Sequence, residues 1–359
     1  MAPTQTVEMS WFSALCDDDY QFLGVEDESL KASWPHCRDI ALTAEKNGFD
    51  NILLPSGYTL GIDSIGFASG IAPLLEKMRL LVAVRCGEMW VPQLARQLAT
   101  LDRMLGGRLT INIISSDLPG QTLDGGPRYQ RTREIMQALR QFLNGETVQM
   151  NGEHIQLDLE PPRMQTASGK CPPFYFGGLS PAARDVAAEE ADVFLMWPDT
   201  MDKVSEILDD MRQRADTYNR TLKFGYRAHV IVRETEAEAR AAADTLISKL
   251  DDGIGEEIRN RSLDSASYGV RRQAEMRDAA NAAGAGDYVE DNLWTGVGRA
   301  RSGCGAAIVG DPDQVLAKLN AYRAMGIEAF ILSGYPHQDE CDLFGKYVLP
   351  KLDHGALEI

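Results

Sequence analysis

The sequence predicts a (β/α)8 TIM barrel of the α/β class, and two observations carry that prediction. Eight short apolar runs alternate with stretches of helical spacing almost from end to end of the 359 residues, the pattern of strands each followed by a helix. The rival doubly wound sheet usually carries a glycine-rich turn after its first strand, and segment 9–18 contains no glycine. The nearest glycine string, Gly296-Val-Gly298-Arg-Ala-Arg301, lacks the third glycine of a dinucleotide fingerprint and follows no strand.

In chain order the strands are expected at 9–15, 51–55, 79–85, 108–114, 173–177, 192–197, 224–232 and 328–333. Helical spacing falls at 36–48, 64–76, 91–105, 128–143, 181–190, 202–219, 235–250 and 312–325. Ser180-Pro181 and Asp311-Pro312 each place a capping side chain before a proline suited to the first helical position. Asn47-Gly48 and Gly106-Gly107 supply the glycine that ends a helix. A barrel of this type uses about 250 residues, leaving roughly 100 over. Two excursions absorb them, so that 1–359 reads as one domain. Segment 145–172 reads as a hairpin with turns at Asn151-Gly152 and Pro161-Pro162. Segment 251–310 is polar, Gly/Ala-punctuated and Arg-rich; such a stretch is either a packed helical elaboration or an active-site lid, and a lid is expected.

Composition narrows the function. Lys and Arg total 36 against 53 Asp and Glu, a net charge of −17, which argues against nucleic acid because phosphate binding needs a basic face. The apolar runs are of strand length, far below the ~20 residues of a membrane span. The first twenty residues lack the charged and apolar regions of a signal peptide. The six cysteines, at 16, 37, 86, 171, 304 and 341, form no CxxC pair, as expected of free thiols in the cytoplasm. The five histidines show no HxH or HxxxH pairing, so no metal site is expected. No G-x-S-x-G nucleophile elbow occurs.

Barrel enzymes carry their chemistry at the C-terminal strand ends and the loops beyond. Those positions hold Cys16, Ser56, Arg85, Ser115-Ser116, Gly177-Gly178, Trp197, Arg227 with His229, and Tyr335 with His337. Arg227 and His229 are two apart and share a strand face, opposite Ala228, Val230 and Val232. An inward Arg and His are costly unless they meet an anion, a carboxylate or a cofactor. Both precede Val-Ile-Val, so they lie mid-strand unless the strand is unusually long. Gly177-Gly178-Leu-Ser180-Pro181 opens a helix with free N–H groups and room for close approach, which suits a phosphate. Arg128-Tyr129, at the start of the fourth helix, could add a cation and a phenol to the same phosphate.

Five stretches together resemble one family: Ala95-Arg-Gln-Leu-Ala-Thr-Leu-Asp-Arg103 with Gly107-Arg108, Tyr175-Phe-Gly-Gly178, Arg227-Ala-His-Val-Ile-Val-Arg-Glu-Thr235, Asn292-Leu-Trp-Thr-Gly-Val-Gly298, and Leu332-Ser-Gly-Tyr-Pro-His337. The chain resembles the bacterial-luciferase-like flavin monooxygenases, and within them the two-component alkanesulfonate monooxygenases. The resemblance implies FMN delivered reduced (FMNH2) by a separate NAD(P)H-dependent flavin reductase, O2 as co-substrate, and oxygenation of the carbon bearing the sulfonate. Sulfite then leaves and an aldehyde remains. It implies that Arg227 and Arg301 grip the sulfonate and that His229 assists proton transfer or holds the flavin peroxide. Trp197, Tyr335 and His337 would line the pocket, and Ser115, Arg128, Tyr129, Gly178 and Ser180 would hold FMN. It also implies a lid at 251–290 and a homodimer or homotetramer.

The chain departs from that family pattern on the substrate side. The family's His after the first strand is Cys16 here, and its Cys after the second falls near Leu60, within Gly57-Tyr-Thr-Leu-Gly61. The loop Cys16-Asp-Asp-Asp-Tyr20 is acidic and suited to hydroxyl groups. The expected substrate is therefore an alkanesulfonate or a functionalised sulfonate such as sulfoquinovose. A flavin- or deazaflavin-dependent dehydrogenase on the same barrel is the alternative.

Overall fold

The computed structural model describes residues 6–260, 267–282, 284 and 286–359. The chain runs β1 (Glu8–Phe12), α1 (Trp34–Asn47), β2 (Asn51–Leu54), α2 (Ser64–Ile71), β3 (Arg79–Arg85), α3 (Val91–Met104), β4 (Leu109–Ile114) and α4 (Gly125–Leu143). A hairpin of β5 (Val148–Asn151) and β6 (Gln156–Leu159) follows, then β7 (Phe174–Phe176), α5 (Pro181–Glu190), β8 (Val193–Met196), α6 (Met201–Thr217) and β9 (Lys223–Val232). The remainder is α7 (Glu236–Ile247), α8 (Asp252–Asn260), α9 (Tyr268–Ala282), β10 (Tyr288–Glu290), β11 (Leu293–Trp294), β12 (Ala307–Gly310), α10 (Pro312–Met325), β13 (Ala329–Ser333) and α11 (His337–Tyr347).

Eight parallel strands close on themselves in the order β1-β2-β3-β4-β7-β8-β9-β13, with β13 returning to β1. This is the (β/α)8 barrel that the alternation of apolar runs predicts. The expected caps are in place. Ser180 accepts from the Ala183 N–H, Asp311 from Asp313 and Gln314, and Gly48 ends α1 at φ 91°.

Period-two alternation decides what the barrel encloses. Met9 and Trp11 of β1 pack outward with Ile52 and Leu54 of β2, Leu80, Val82 and Val84 of β3, and Tyr226, Ala228 and Val230 of β9, forming the core beneath the helices. The intervening residues point into the barrel. At its middle, Phe12, Leu53, Leu81, Tyr175, Val193 and Ile331 form a separate apolar plug. Above that plug, at the C-terminal rim, the same alternation delivers polar side chains.

Two features differ from the sequence reading. The seventh strand is indeed long, at ten residues. Its first half pairs with β8 and β13 inside the barrel, while 229–232 pairs with β12 beyond the rim. Arg227 and His229 therefore stand at the C-terminal mouth although three more strand residues follow. The 251–310 excursion also contains β10, β11 and β12, of two to four residues each. Runs this short give no periodicity to read.

The helices of that excursion are tied to the barrel. Arg272 on α9 makes two 2.7 Å contacts with the carboxylate of the buried Asp199. Gln273 donates to the Pro198 carbonyl at 2.7 Å and accepts from the Gly305 N–H at 3.0 Å. Of the expected lid, residues 261–266 lie outside the described ones. Among the described residues no helix is long and apolar enough to cross a membrane, and no group of three or more His, Cys, Asp or Glu could hold a metal ion. All six cysteines are free.

Candidate active site

A cavity of about 280 Å³ opens at the C-terminal mouth. Its floor is Phe12, Leu53, Ala83, Asn112, Ile114 and Leu195, inward residues of five strands. Loops supply Cys16, Asp17, Asp18 and Ser56 to Leu60 on one side, and Trp197 and Ala300 to Cys304 on the other. Ile258 from α8 and Val270 from α9 close the top, so the long excursion does contribute to the site.

Charge is the site's main feature. Arg227 is 3% exposed, and its guanidinium lies 4.2 Å from the Phe12 ring centroid. It donates to the Ala228 carbonyl at 2.6 Å and to Ser333 Oγ at 2.8 Å. Among the described residues no carboxylate lies within ion-pair distance of it. Arg301 lies over the same ring at 5.4 Å and donates from Nη1 to Asp18 Oδ2 and, at 2.7 Å, to Tyr335 Oη. Its Nε is buried without a partner, as is Asp18 Oδ1. Burial, reinforced by Arg301, lowers the pKa of Arg227. Burial also opposes charge on Arg301, but Tyr335 and Asp18 outweigh it and raise its pKa. The third guanidinium, Arg85, is spent on Glu88, Ser116 and the Ser56 carbonyl. A buried cation without a carboxylate in contact is costly, and the cavity wall at Arg227 suits an anion.

The other residues expected from the sequence divide into those on the cavity wall and those behind it. Cys16, Trp197 and Tyr335 are on the wall with the two arginines. His229 and His337 are not. His229 is 1% exposed, behind the Tyr335 ring at 5.0 Å. His337 is fully buried, stacked 5.9 Å from Phe12, with its N–H donating to Asp19 Oδ1. The expectation that His337 lines the pocket is thus corrected: α11 begins at this residue and turns its ring beneath the wall. Burial, with the arginines adding to it, holds the pKa of His229 well below the usual value, and burial also lowers that of His337. The Cys16 thiol is pushed up to about 12 by burial, which disfavours its thiolate. It packs against the 57–61 loop, whose Gly61 (φ 79°) has no room for a Cβ, which would fall 1.6 Å from the Leu15 carbonyl oxygen.

The five residues proposed for FMN gather outside the cavity, around the starts of α4 and α5. Ser115 Oγ accepts from Thr132 Oγ1 at 2.8 Å, one helical turn beyond Arg128. The Arg128 guanidinium lies 5.4 Å from the Tyr129 ring and 3.5 Å from Asp117, with Nε buried and unpartnered. Gly178, at φ 156°, lies so close to α5 that a Cβ there would fall 2.6 Å from Ala183 Cβ, with Tyr129 Oη 3.6 Å away. An unspent guanidinium nitrogen beside a helix start fits a phosphate. Arg128→Ala should weaken FMN binding about 10- to 100-fold, the worth of a charged hydrogen bond, while sulfonate binding holds. Flavin fluorescence titration measures it, and an unchanged affinity would place the phosphate elsewhere.

Sequence reasoning passed over Phe12, Asn112 and Ser333, and marked Asp18 only as part of the acidic 16–20 loop. Alternation within 8–12, 109–114 and 329–333 marks all but Asp18 as inward. Nothing local singles out Asp18 within its acidic loop, because its partner Arg301 is 283 residues away.

Comparison with known proteins specifies the family of this closed parallel barrel. The luciferase-like monooxygenase family model matches residues 20–329, and the chain belongs to that family. It is 62% identical to the sulfoquinovose monooxygenase of Novosphingobium aromaticivorans, over 99% of both chains. The sulfoquinovose monooxygenase of Agrobacterium fabrum is 51% identical over 99% of this chain and 92% of that one. Among solved structures, a long-chain alkane monooxygenase shares the fold at a TM-score of 0.76 and 16% identity, covering 99% of this chain and 93% of that one.

Proposed function

We propose that the chain is a flavin- and O2-dependent monooxygenase that desulfonates an organosulfonate of the sulfoquinovose type, releasing sulfite and leaving a carbonyl product. The observation that carries this reading is Arg227, a buried guanidinium facing the cavity with no carboxylate beside it. Full-length identity of 62% and 51% to two sulfoquinovose monooxygenases supports the substrate class. Reduced flavin, when bound, supplies the two electrons that let O2 place one oxygen atom on carbon and lose the other as water.

The chain's own residues bind and orient. Arg227 and the unspent Nε edge of Arg301 take the sulfonate oxygens, a planar fork meeting an oxyanion. Asp18 Oδ1, with Asn112 and Ser56 nearby on the wall, takes sugar hydroxyls. Phe12, Trp197, Ile258 and Val270 exclude water. Arg128, Tyr129, Ser115, Gly178 and Ser180 hold FMN by its phosphate. The flavin arrives reduced from a separate NAD(P)H-dependent reductase. The enzyme works in the cytoplasm as a homodimer or homotetramer, and 251–290 acts as its lid.

Sulfite release from sulfoquinovose, with FMN, NADH and a flavin reductase, tests the reaction. It is expected in air and absent under argon or without FMN. No sulfite under any condition would discard desulfonation and favour a dehydrogenase on this barrel.

A further inference from the structure

Ser333 ends β13 and is fully buried. Its Oγ lies 2.8 Å from Arg227 Nη2 and 2.8 Å from His229 Nδ1. The register of β9 on β13, with His229 opposite Ser333, brings the three together. Donor and acceptor counting then fixes the protons. A guanidinium only donates, so Arg227 occupies a lone pair of Oγ. The single hydroxyl hydrogen needs an acceptor in a buried site, and Nδ1 is the one in reach. If Nδ1 carried the proton instead, the Ser333 hydroxyl would be left without an acceptor, a cost of roughly 1–3 kcal/mol.

We infer that Ser333 is a positioning residue: held by Arg227, it donates to His229 Nδ1 and fixes the imidazole as its Nε2–H tautomer. Nε2 makes no hydrogen bond of good geometry, and the Cys304 backbone beside the ring favours a proton on it. On the function proposed above, His229 then offers a hydrogen bond and not a base. The charged and titratable groups around it agree with a neutral ring. Arg227 lies on its own strand, Arg301 and Cys304 on the loop before β12, and Tyr335 and His337 on the turn after β13. The nearest carboxylate system, Asp18, is committed to Arg301.

The test is the nitrogen spectrum of the full chain labelled with 15N-histidine, in which the five histidines are assigned with a His229→Gln variant. The expected result is a protonated Nε2 and bare Nδ1 at His229, unchanged from about pH 8 down to about pH 5.5, where a free imidazole would charge. Ser333→Ala should release the tautomer to a mixture or reverse it, and Ser333→Thr should restore it. Sulfite turnover, where present, should fall about tenfold in kcat for Ser333→Ala and recover in Ser333→Thr, as expected for one buried hydrogen bond. A protonated Nδ1 in the unmodified protein, or a tautomer indifferent to Ser333→Ala, overturns the inference. Because the spectrum needs neither flavin nor sulfonate, its failure is distinguishable from failure of the proposed function.

Discussion

Arg227→Met should abolish sulfonate turnover without destabilising the protein. The guanidinium is buried among Phe12, Ser333 and the Ala228 carbonyl, with no carboxylate in ion-pair contact among the described residues. Its desolvation is therefore offset by two neutral hydrogen bonds, the ring contact and the more distant charge of Asp18. Replacing buried charge with an apolar side chain of similar volume is often neutral or stabilising by about 1–4 kcal/mol. The melting temperature should stay level or rise by a few degrees. Binding of the sulfonate should meanwhile weaken by about 10²–10³-fold, since losing a desolvated charge partner costs about 3–5 kcal/mol. FMN affinity should not change. A variant that melts well below the parent would show that Arg227 is there for structure, and the anion-site reading would fall with it.

The second large effect is expected at the clamp between α9 and the barrel. Arg272→Ala leaves the carboxylate of Asp199, itself 2% exposed, without the guanidinium that holds both its oxygens. Removing one partner from such a pair costs about 3–5 kcal/mol. Burial opposes the Arg272 charge less than the two hydrogen bonds to Asp199 favour it, and its pKa is raised accordingly. The loss should be local: amide exchange across 268–282 should accelerate far more than in the barrel strands. Val270 on this helix lines the cavity and Gln273 joins the Pro198 and Gly305 backbones. The sulfonate KM should therefore rise at least tenfold while FMN binding persists. An unchanged exchange pattern and KM would show that α9 is held by packing alone and that this clamp does not shape the site.

What could be read from the sequence follows the range of the forces involved. The eight strands were legible because burial between barrel and helices imposes apolar runs, and a one-residue slip would invert every side chain. The same local rule placed Arg227 and His229 on the inward face of 224–232. Their position at the mouth was not legible, because the strand runs on only to pair with β12, four residues from a region without periodicity. The depth of His337 was equally hidden. Whether a residue at a helix start faces a cavity or lies under its wall depends on how α11 packs against β9 and α1, and short-range pattern carries no such information. Asp18 shows the same limit: its role comes from a partner brought in by the 251–310 excursion.

The central claim is that this mouth takes a sulfonate on its arginines and a polyol on Asp18, and one measurement addresses both halves. The ratio of kcat/KM for sulfoquinovose over that for octanesulfonate should be large in the parent enzyme. It should fall by roughly 10- to 100-fold in Asp18→Asn, the worth of one charged hydrogen bond. Equal efficiencies for the two sulfonates in the parent, or a preference for the alkyl chain, would contradict the account.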